Sequence, residues 1–301
     1  MGGMLKLSCA ARIVIRPGPA LQFGVDATRS GIIDSIAPQH IGAVVKTLNA
    51  TRAPVSRDEL QTRLVSSGLD ATAASSLIAD LLAFGILLRC STVEPRVGVL
   101  GRGALASEIS ELLARSGCTV RRPLRGETDT RFLRMLPPEV PLVAADKLAH
   151  SRALAPAVRN GHREFFLPVA LVDGIGLVGP VASHDSGPCP LCVDLHRVAV
   201  DPYWTQLLTQ LSVSAAAPSL VLVAATAAQA VALVLQHLGL HAPAVGSPVA
   251  PLAPGRTLQV DPYRTHREFF LRSHAGCPLC FETQHLKQGF AEIRDLDRAN
   301  S

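Results

Sequence analysis

The spacing of apolar residues changes period twice along the first ninety positions. Alternation through Ala11–Arg16 predicts a strand that the turn Pro17-Gly18-Pro19 ends, and Leu21–Asp26 and Gly31–Ile36 predict two more strands, separated by a loop at Ala27–Ser30. From Gln39 the period becomes helical, with Ile41, Val44, Val45 and Leu48 on one face of a helix over Gln39–Asn49. A second helix is predicted over Ser56–Ser66. Ser56 stands at its N-cap with Glu59 three residues on, a capping box, and Leu60 and Leu64 share a face. A third, Asp70–Phe84, carries Leu77, Ile78, Leu81 and Leu82 and is closed by Gly85; Ile86–Arg89 returns to strand before a polar link at Cys90–Pro95.

Three strands followed by three helices predict a winged-helix-like module over residues 1–92. Such modules commonly read DNA, and a recognition helix needs side chains that pair with base edges, typically Arg, Lys, Asn or Gln. From Leu69 to Leu88 there is no lysine or arginine, and the polar face of the third helix offers Ala, Thr and Ser. The pattern argues against a DNA reader.

A second domain is predicted over residues 93–301. Val97–Leu100 is a short buried-strand pattern that runs into Gly101-Arg102-Gly103. Leu105, Ile109, Leu112 and Leu113 then recur at helical spacing to Gly117, and Cys118–Arg122 is a second strand. This is the opening βαβ of a Rossmann-type dinucleotide fold, whose glycines permit a tight turn at a helix N-terminus. Val140–Ala145, ending at Asp146, together with Phe165–Leu171 and Gly176–Val181, predicts later strands, and Ser219–Leu238 predicts a long helix. The apolar run Ala215–Leu240 containing that helix has the length of a membrane span. Thr226, Gln229, Gln236, His237 and much alanine interrupt it, which favours a buried core helix.

Composition narrows the function classes. With 48% apolar and 18% charged residues over 301 positions, the chain has ample material for a core. A net charge of +5 suggests nucleic acid, but the only lysines are Lys6, Lys46, Lys147 and Lys287, and the densest basic cluster is Arg121, Arg122 and Arg125. Without longer runs of like charge, clustered phosphate contacts are not expected. Met1–Ala20 lacks an apolar segment of signal-peptide length, and Lys6 stands where a myristoylation motif needs Ser or Thr, so a cytoplasmic protein is expected. In that compartment seven cysteines point to metal before disulfides.

Four of those cysteines form two Cys-Pro-Leu-Cys knuckles, Cys189 with Cys192 and Cys277 with Cys280. Two such turns complete a tetrahedral four-sulfur shell for a structural zinc ion, with no position left for water or substrate. His184 and His274 lie near the knuckles, but four thiolates need no fifth ligand. Gly101, Gly103 and Asp146 are the candidate nucleotide-binding residues. An active dinucleotide site places an acidic residue at the end of the second strand to hold the ribose, where this chain has Arg121 and Arg122. Those arginines would suit the 2′-phosphate of NADP, which keeps an oxidoreductase as an alternative, although His150 and His162 are unconvincing proton donors.

The glycine turn, the strand ending Val143-Ala144-Ala145-Asp146, the two knuckles and the long apolar helix between them resemble the ThiF/E1-like superfamily. The module in front resembles a peptide-clamp domain. The combination is similar to the ThiF-like partner proteins of YcaO-type azoline cyclodehydratases, over about residues 10 to 285. The resemblance implies a homodimer, a leader-peptide ligand and a separate modifying enzyme as partners. It also implies an Asp after the second strand, phosphate-binding Arg and Lys, and a later Asp for magnesium. Of these only Asp146 has a counterpart; no lysine occurs between Lys46 and Lys147, and the stretch from Arg122 to Val140 is too short for the usual crossover.

The sequence therefore leads to a non-catalytic, zinc-stabilised scaffold that presents a peptide. An extended peptide would add to the edge strand Gly31, Ile32 and Ile33, with side chains entering a groove beside Leu77, Leu81 and Phe84. An active adenylyltransferase, the NADP enzyme and a winged-helix regulator are the alternatives.

Overall fold

A computed structural model describes residues 4–18, 20–26, 28–90, 94–183, 186–210, 218–240, 243–244, 247 and 251–281. His184 and the start of the apolar run at Ala215 lie outside them. The chain divides into two compact units, Met1–Glu94 with Leu235–Pro251, and Pro95–Val234 with Leu252–Ser301.

The first unit runs β1 (Met4–Leu7), β2 (Ile13–Arg16), β3 (Ala20–Phe23), β4 (Gly31–Ile33), α1 (Pro38–Ala50), β5 (Val55–Ser56), α2 (Arg57–Ser66), α3 (Ala71–Ala83) and β6 (Leu87–Cys90). It holds two three-stranded sheets, β5-β1-β6 and β2-β3-β4. Met4–Leu7 is too short to announce itself by alternation. It is a strand because antiparallel partners flank it on both sides, Val55 and Ser56 on one and Leu87–Cys90 on the other. The strand expected over Gly31–Ile36 stops at Ile33, because its ladder with β3 ends at the pair Leu21–Ile33.

The helices start where their caps require. Ser56 Oγ accepts from the Glu59 amide of α2, and Asp70 Oδ1 accepts from the Ala73 amide of α3. Past α3, Gly85 adopts φ +66° and the Ile86 amide returns to the Leu81 carbonyl, a left-handed helix exit that favours glycine. Leu5, Leu21, Phe23, Val44, Leu48, Leu60, Leu64, Ile78 and Leu81 share one core, which joins the faces of the strands and all three helices.

The second unit opens with β7 (Arg96–Leu100), α4 (Ala104–Arg115), β8 (Thr119–Arg121), α5 (Asp129–Met135) and β9 (Leu142–Ala145). Strands β8 and β9 both run parallel to β7, one on each side. The span from Arg122 to Val140 is therefore long enough for a crossover, contrary to the expectation, because the seven-residue α5, capped by Thr128 Oγ1 on the Arg131 amide, makes it. Next come α6 (Ser151–Arg159), β10 (Phe165–Val172), β11 (Ile175–Val178), β12 (Ala182–Ser183), α7 (Pro190–Val200), α8 (Trp204–Gln210), α9 (Leu220–His237), β13 (Arg256–Val260) and β14 (Arg267–Phe270). The sheet order is β14-β13-β11-β10-β9-β7-β8, with β12 on β10. It is parallel from β8 to β10 and antiparallel beyond. The fully buried run Leu142–Ala145 is the pattern of a parallel strand covered on both faces.

Helix α9 is long and apolar enough by composition to cross a membrane. It nonetheless buries one side, through Leu222, Val223, Thr226, Ala227, Ala230, Val231, Leu233 and Val234. Thr226 sits so close to β11 that a Cβ on Gly176 would fall 2.0 Å from its Oγ1. Helix and sheet thus meet at a position only glycine can occupy. Gly176→Ala is expected to lower stability by about 1–3 kcal/mol through overpacking, and Thr226→Ala in the same chain should recover part of it. Thermal unfolding of the single and double variants checks this.

Candidate metal centre and glycine turn

The two knuckles begin helical turns in the same way. Cys189 is the N-cap of α7 with Pro190 at its first position, where a missing N–H costs nothing. Cys277 likewise precedes the helical residues 278–281, and the Phe281 amide returns to its carbonyl. Each knuckle therefore aims two sulfurs, three residues apart, from the positive end of a helical turn, where thiolates are favoured.

All four cysteines are buried to 1% exposure or less. Their sulfurs lie within 4.8 Å of one another. Cys189 Sγ is 3.6 Å from Cys277 Sγ and 3.8 Å from Cys192 Sγ, and Cys192 Sγ is 3.3 Å from Cys280 Sγ. These separations are far beyond the ~2.05 Å of a disulfide. They bracket the edge of about 3.8 Å expected for a tetrahedron with metal–sulfur bonds of about 2.3 Å. Ala155 of α6 and Leu191, Leu195 and Leu279 enclose the cluster. The donor set, the spacing and the burial fit a metal site without an open coordination position.

The electrostatics of the four thiols are uneven. Hydrogen bonds from Cys189 and Cys192 hold the Cys280 thiol far below its ordinary range, with a further contribution from the charge of Arg159. Cys189 is pushed up instead, by its hydrogen bonds with Cys192 and Cys280 and by burial. A dication that takes all four sulfurs must expel the protons that remain, so its affinity falls as pH falls. Arg159, at the last turn of α6, donates from Nη2 to Cys280 Sγ at 3.0 Å. Nothing in the sequence marked this residue, 121 positions from the sulfur it touches.

The glycine turn is assembled as the βαβ reading requires. Gly101 has φ +152°, and a Cβ there would lie 2.8 Å from the Ala145 carbonyl oxygen and 2.9 Å from Ala106 Cβ. Gly103 is the N-cap of α4 and offers no side chain, which leaves the helix N-terminus open. Asp146, at the end of β9, has φ +54°, a left-handed conformation that costs a non-glycine residue about 1–2 kcal/mol. Its backbone amide donates to the Val169 carbonyl and its Oδ1 accepts from the Leu171 amide at 3.3 Å. A Cβ on Gly103 would lie 3.5 Å from Asp146 Oδ2, so the three predicted residues do converge. Partial desolvation pushes the Asp146 carboxyl upward.

Both arginines at the end of β8 are engaged. Arg122 donates to the Gly101 carbonyl and to Ser107 Oγ, each at 3.2 Å. Arg121 donates to the Met135 carbonyl and Glu127 and lies over the Phe132 ring. Arg122 thus occupies the mouth of the turn as a cation.

The residues expected to meet a peptide are divided. β4 is the edge of its sheet, Ile32 is half-exposed, and Gly31 and Ile33 are partly buried. Phe84 is 53% exposed. Leu77 and Leu81 are 7% and 1% exposed and belong to the core of the first unit, so they do not line an open groove. They fall on the inner face of α3 with Ala74 and Ile78.

The metal reading has a direct test. Purified protein should carry about one metal ion per chain by elemental analysis, and acidification should release it to a chromogenic chelator. Cys277→Ser should remove the metal and destabilise or aggregate the protein. Metal-free protein that unfolds at the wild-type temperature overturns the assignment.

No protein-family model matches the sequence, and no curated protein does either. Solved structures do match. The heterocyclase TruD superposes with a TM-score of 0.60 at 12% identity, over 92% of this chain and 43% of that one. A heterocyclase in complex with substrate and cofactor gives 0.58 at 12% identity, over 92% of this chain and 39% of that one. The microcin C7 biosynthetic enzyme MccB in complex with N-formylated MccA, a protein also solved from E. coli, gives 0.54 at 12% identity, over 92% of this chain and 99% of that one. The chain spans less than half of each heterocyclase and nearly the whole of MccB. With its Rossmann-type βαβ, four-cysteine cluster and preceding α/β unit, the chain has the fold of MccB and of part of TruD, and the resemblance to the ThiF/E1-like superfamily holds at the level of fold.

Proposed function

We propose that this protein acts in peptide modification as a zinc-stabilised, E1-like scaffold that binds the leader segment of a precursor peptide and presents it to a separate modifying enzyme. The observation that carries the reading is Arg122. Where nucleotide sites of this fold place an acid for the ribose, Arg122 lies across the glycine turn and donates to the Gly101 carbonyl. Neighbours of the same fold include a heterocyclase bound to substrate and cofactor and MccB bound to N-formylated MccA, so a peptide ligand suits the architecture. Zinc is the metal that a closed four-thiolate shell favours.

Residues 1–92 form the peptide-binding domain in this reading, and the leader adds as a strand to the free edge of β4. Ile32 and Phe84 supply exposed apolar contacts, while Leu77 and Leu81 support the domain from within. A YcaO-type cyclodehydratase is the partner enzyme, the E1-like domain pairs two copies into a homodimer, and the assembly works in the cytoplasm.

A second reading, an active adenylyltransferase, is favoured by Asp146, which faces the glycine turn as a magnesium-binding acid would. Two measurements separate them. ATP–pyrophosphate exchange should stay at background with any copurifying peptide; peptide-dependent exchange that disappears in Asp146→Ala establishes the enzyme instead.

Peptide binding is read by fluorescence anisotropy of a labelled precursor peptide recovered by copurification. Ile33→Pro removes a ladder donor from the edge region and should weaken binding at least tenfold while metal content stays constant. Equal binding by both proteins overturns the site on β4. Retardation of duplex DNA with a steep salt dependence replaces the scaffold with a regulator.

A further inference from the structure

A dication held by four thiolates carries a net charge of −2. Cys189, Cys192, Cys277 and Cys280 place that charge where water does not reach, since each is 0–1% exposed. Burial of uncompensated charge is costly, and the cost would appear as weak metal retention.

Among the neighbouring ionic side chains, two are committed elsewhere. Asp194 accepts from Arg152 Nε and Trp204 Nε1. His274 accepts the Gly276 amide on Nδ1 and stacks edge-on against His196, whose Nε2 lies 2.9 Å from the Arg272 carbonyl.

Arg159 differs from these in three ways. It is only 6% exposed, an unusual depth for an arginine. Its Nη2 donates to Cys280 Sγ at 3.0 Å, while its buried Nε has no hydrogen-bond partner among the described residues. It also lies one turn after Ala155, which packs within the cysteine cluster, so the same face of α6 supplies both the wall and the cation. A guanidinium buried with an unpaired nitrogen is an expense to the fold unless an anion beside it repays the desolvation.

From this geometry we infer that Arg159 is the counter-charge of the metal centre, a positioning residue that sets how tightly the four thiolates hold their ion. It does not ligate the metal. It lowers the energy of the charged shell through Cys280 and fixes the orientation of that sulfur, the role that outer partners play at metal sites. The inference rests on the metal reading, and the two fail differently: wild-type protein without metal overturns the centre, whereas metal-loaded variants test Arg159.

The experiment uses the full chain loaded with zinc. Transfer of zinc to excess 4-(2-pyridylazo)resorcinol is followed by absorbance for wild type, Arg159→Met and Arg159→Lys, with circular dichroism on each loaded sample. Arg159→Met should release zinc 10–100-fold faster, and Arg159→Lys within about threefold of wild type, because outer-shell partners are worth 10–100-fold in metal affinity. Release from Arg159→Met at the wild-type rate overturns the inference. Equal acceleration in the Met and Lys variants also overturns it, since charge is then not what matters. If Arg159→Met does not fold, the Lys variant decides alone: near-wild-type release supports the counter-charge, and tenfold faster release rejects it.

Discussion

Two pairs of sulfurs, 88 residues apart in the chain, meet in one buried cluster, and much of the second unit is arranged by that closure. A cross-link over a loop of this length removes about 4.6 kcal/mol of denatured-state entropy on the chain-entropy model. The enclosed loop contains α7, α8, α9 and the strands β13 and β14. It is fastened a second time where β13 pairs with β11. α7 begins at Cys189, and α6 lies against it with Ala155 and Arg159 turned to the sulfurs. The four-cysteine cluster thus joins α6 and α7 to a segment 88 residues further along the chain.

The glycine turn shows how a fold can keep a site's geometry and change its electrostatics. Gly101 still allows Ala145 and Ala106 to approach, α4 still opens at Gly103, and Asp146 still stands opposite in its left-handed conformation. A carboxylate at the end of β8 would add a ribose contact, whereas Arg122 adds a cation that donates once to the Gly101 carbonyl and once to Ser107 of α4. Packing at Gly101 holds the backbone shape of the turn, and Arg122 sets its charge.

The first unit spends its apolar faces on its own core. That core takes up the apolar stripes of α1, α2 and α3, and β4 ends the β2-β3-β4 sheet. Leu77 and Leu81 are therefore buried, while Ile32 and Phe84 are exposed.

Local signals in the sequence determined a good part of this protein. The capping box at Ser56, the helical stripes of α1 to α3, the βαβ around Gly101 and the repeated Cys-Pro-Leu-Cys each depend on residues a few positions apart, whose geometry is set by backbone period and turn chemistry. The convergence of four cysteines was legible because metal chemistry demands four donors and the chain offers two matching pairs. Short elements escaped: β1 exists through its two partners and α5 through a single cap, and neither carries a period long enough to see. Only the tertiary structure decided that residues 235–251 belong with the first unit, that Arg122 closes on the glycine turn, and that Arg159 reaches Cys280. Those outcomes depend on which side chains share a buried, poorly solvated volume. Charges there act over a few ångströms whatever their separation along the chain, so no reading of neighbouring residues reveals them.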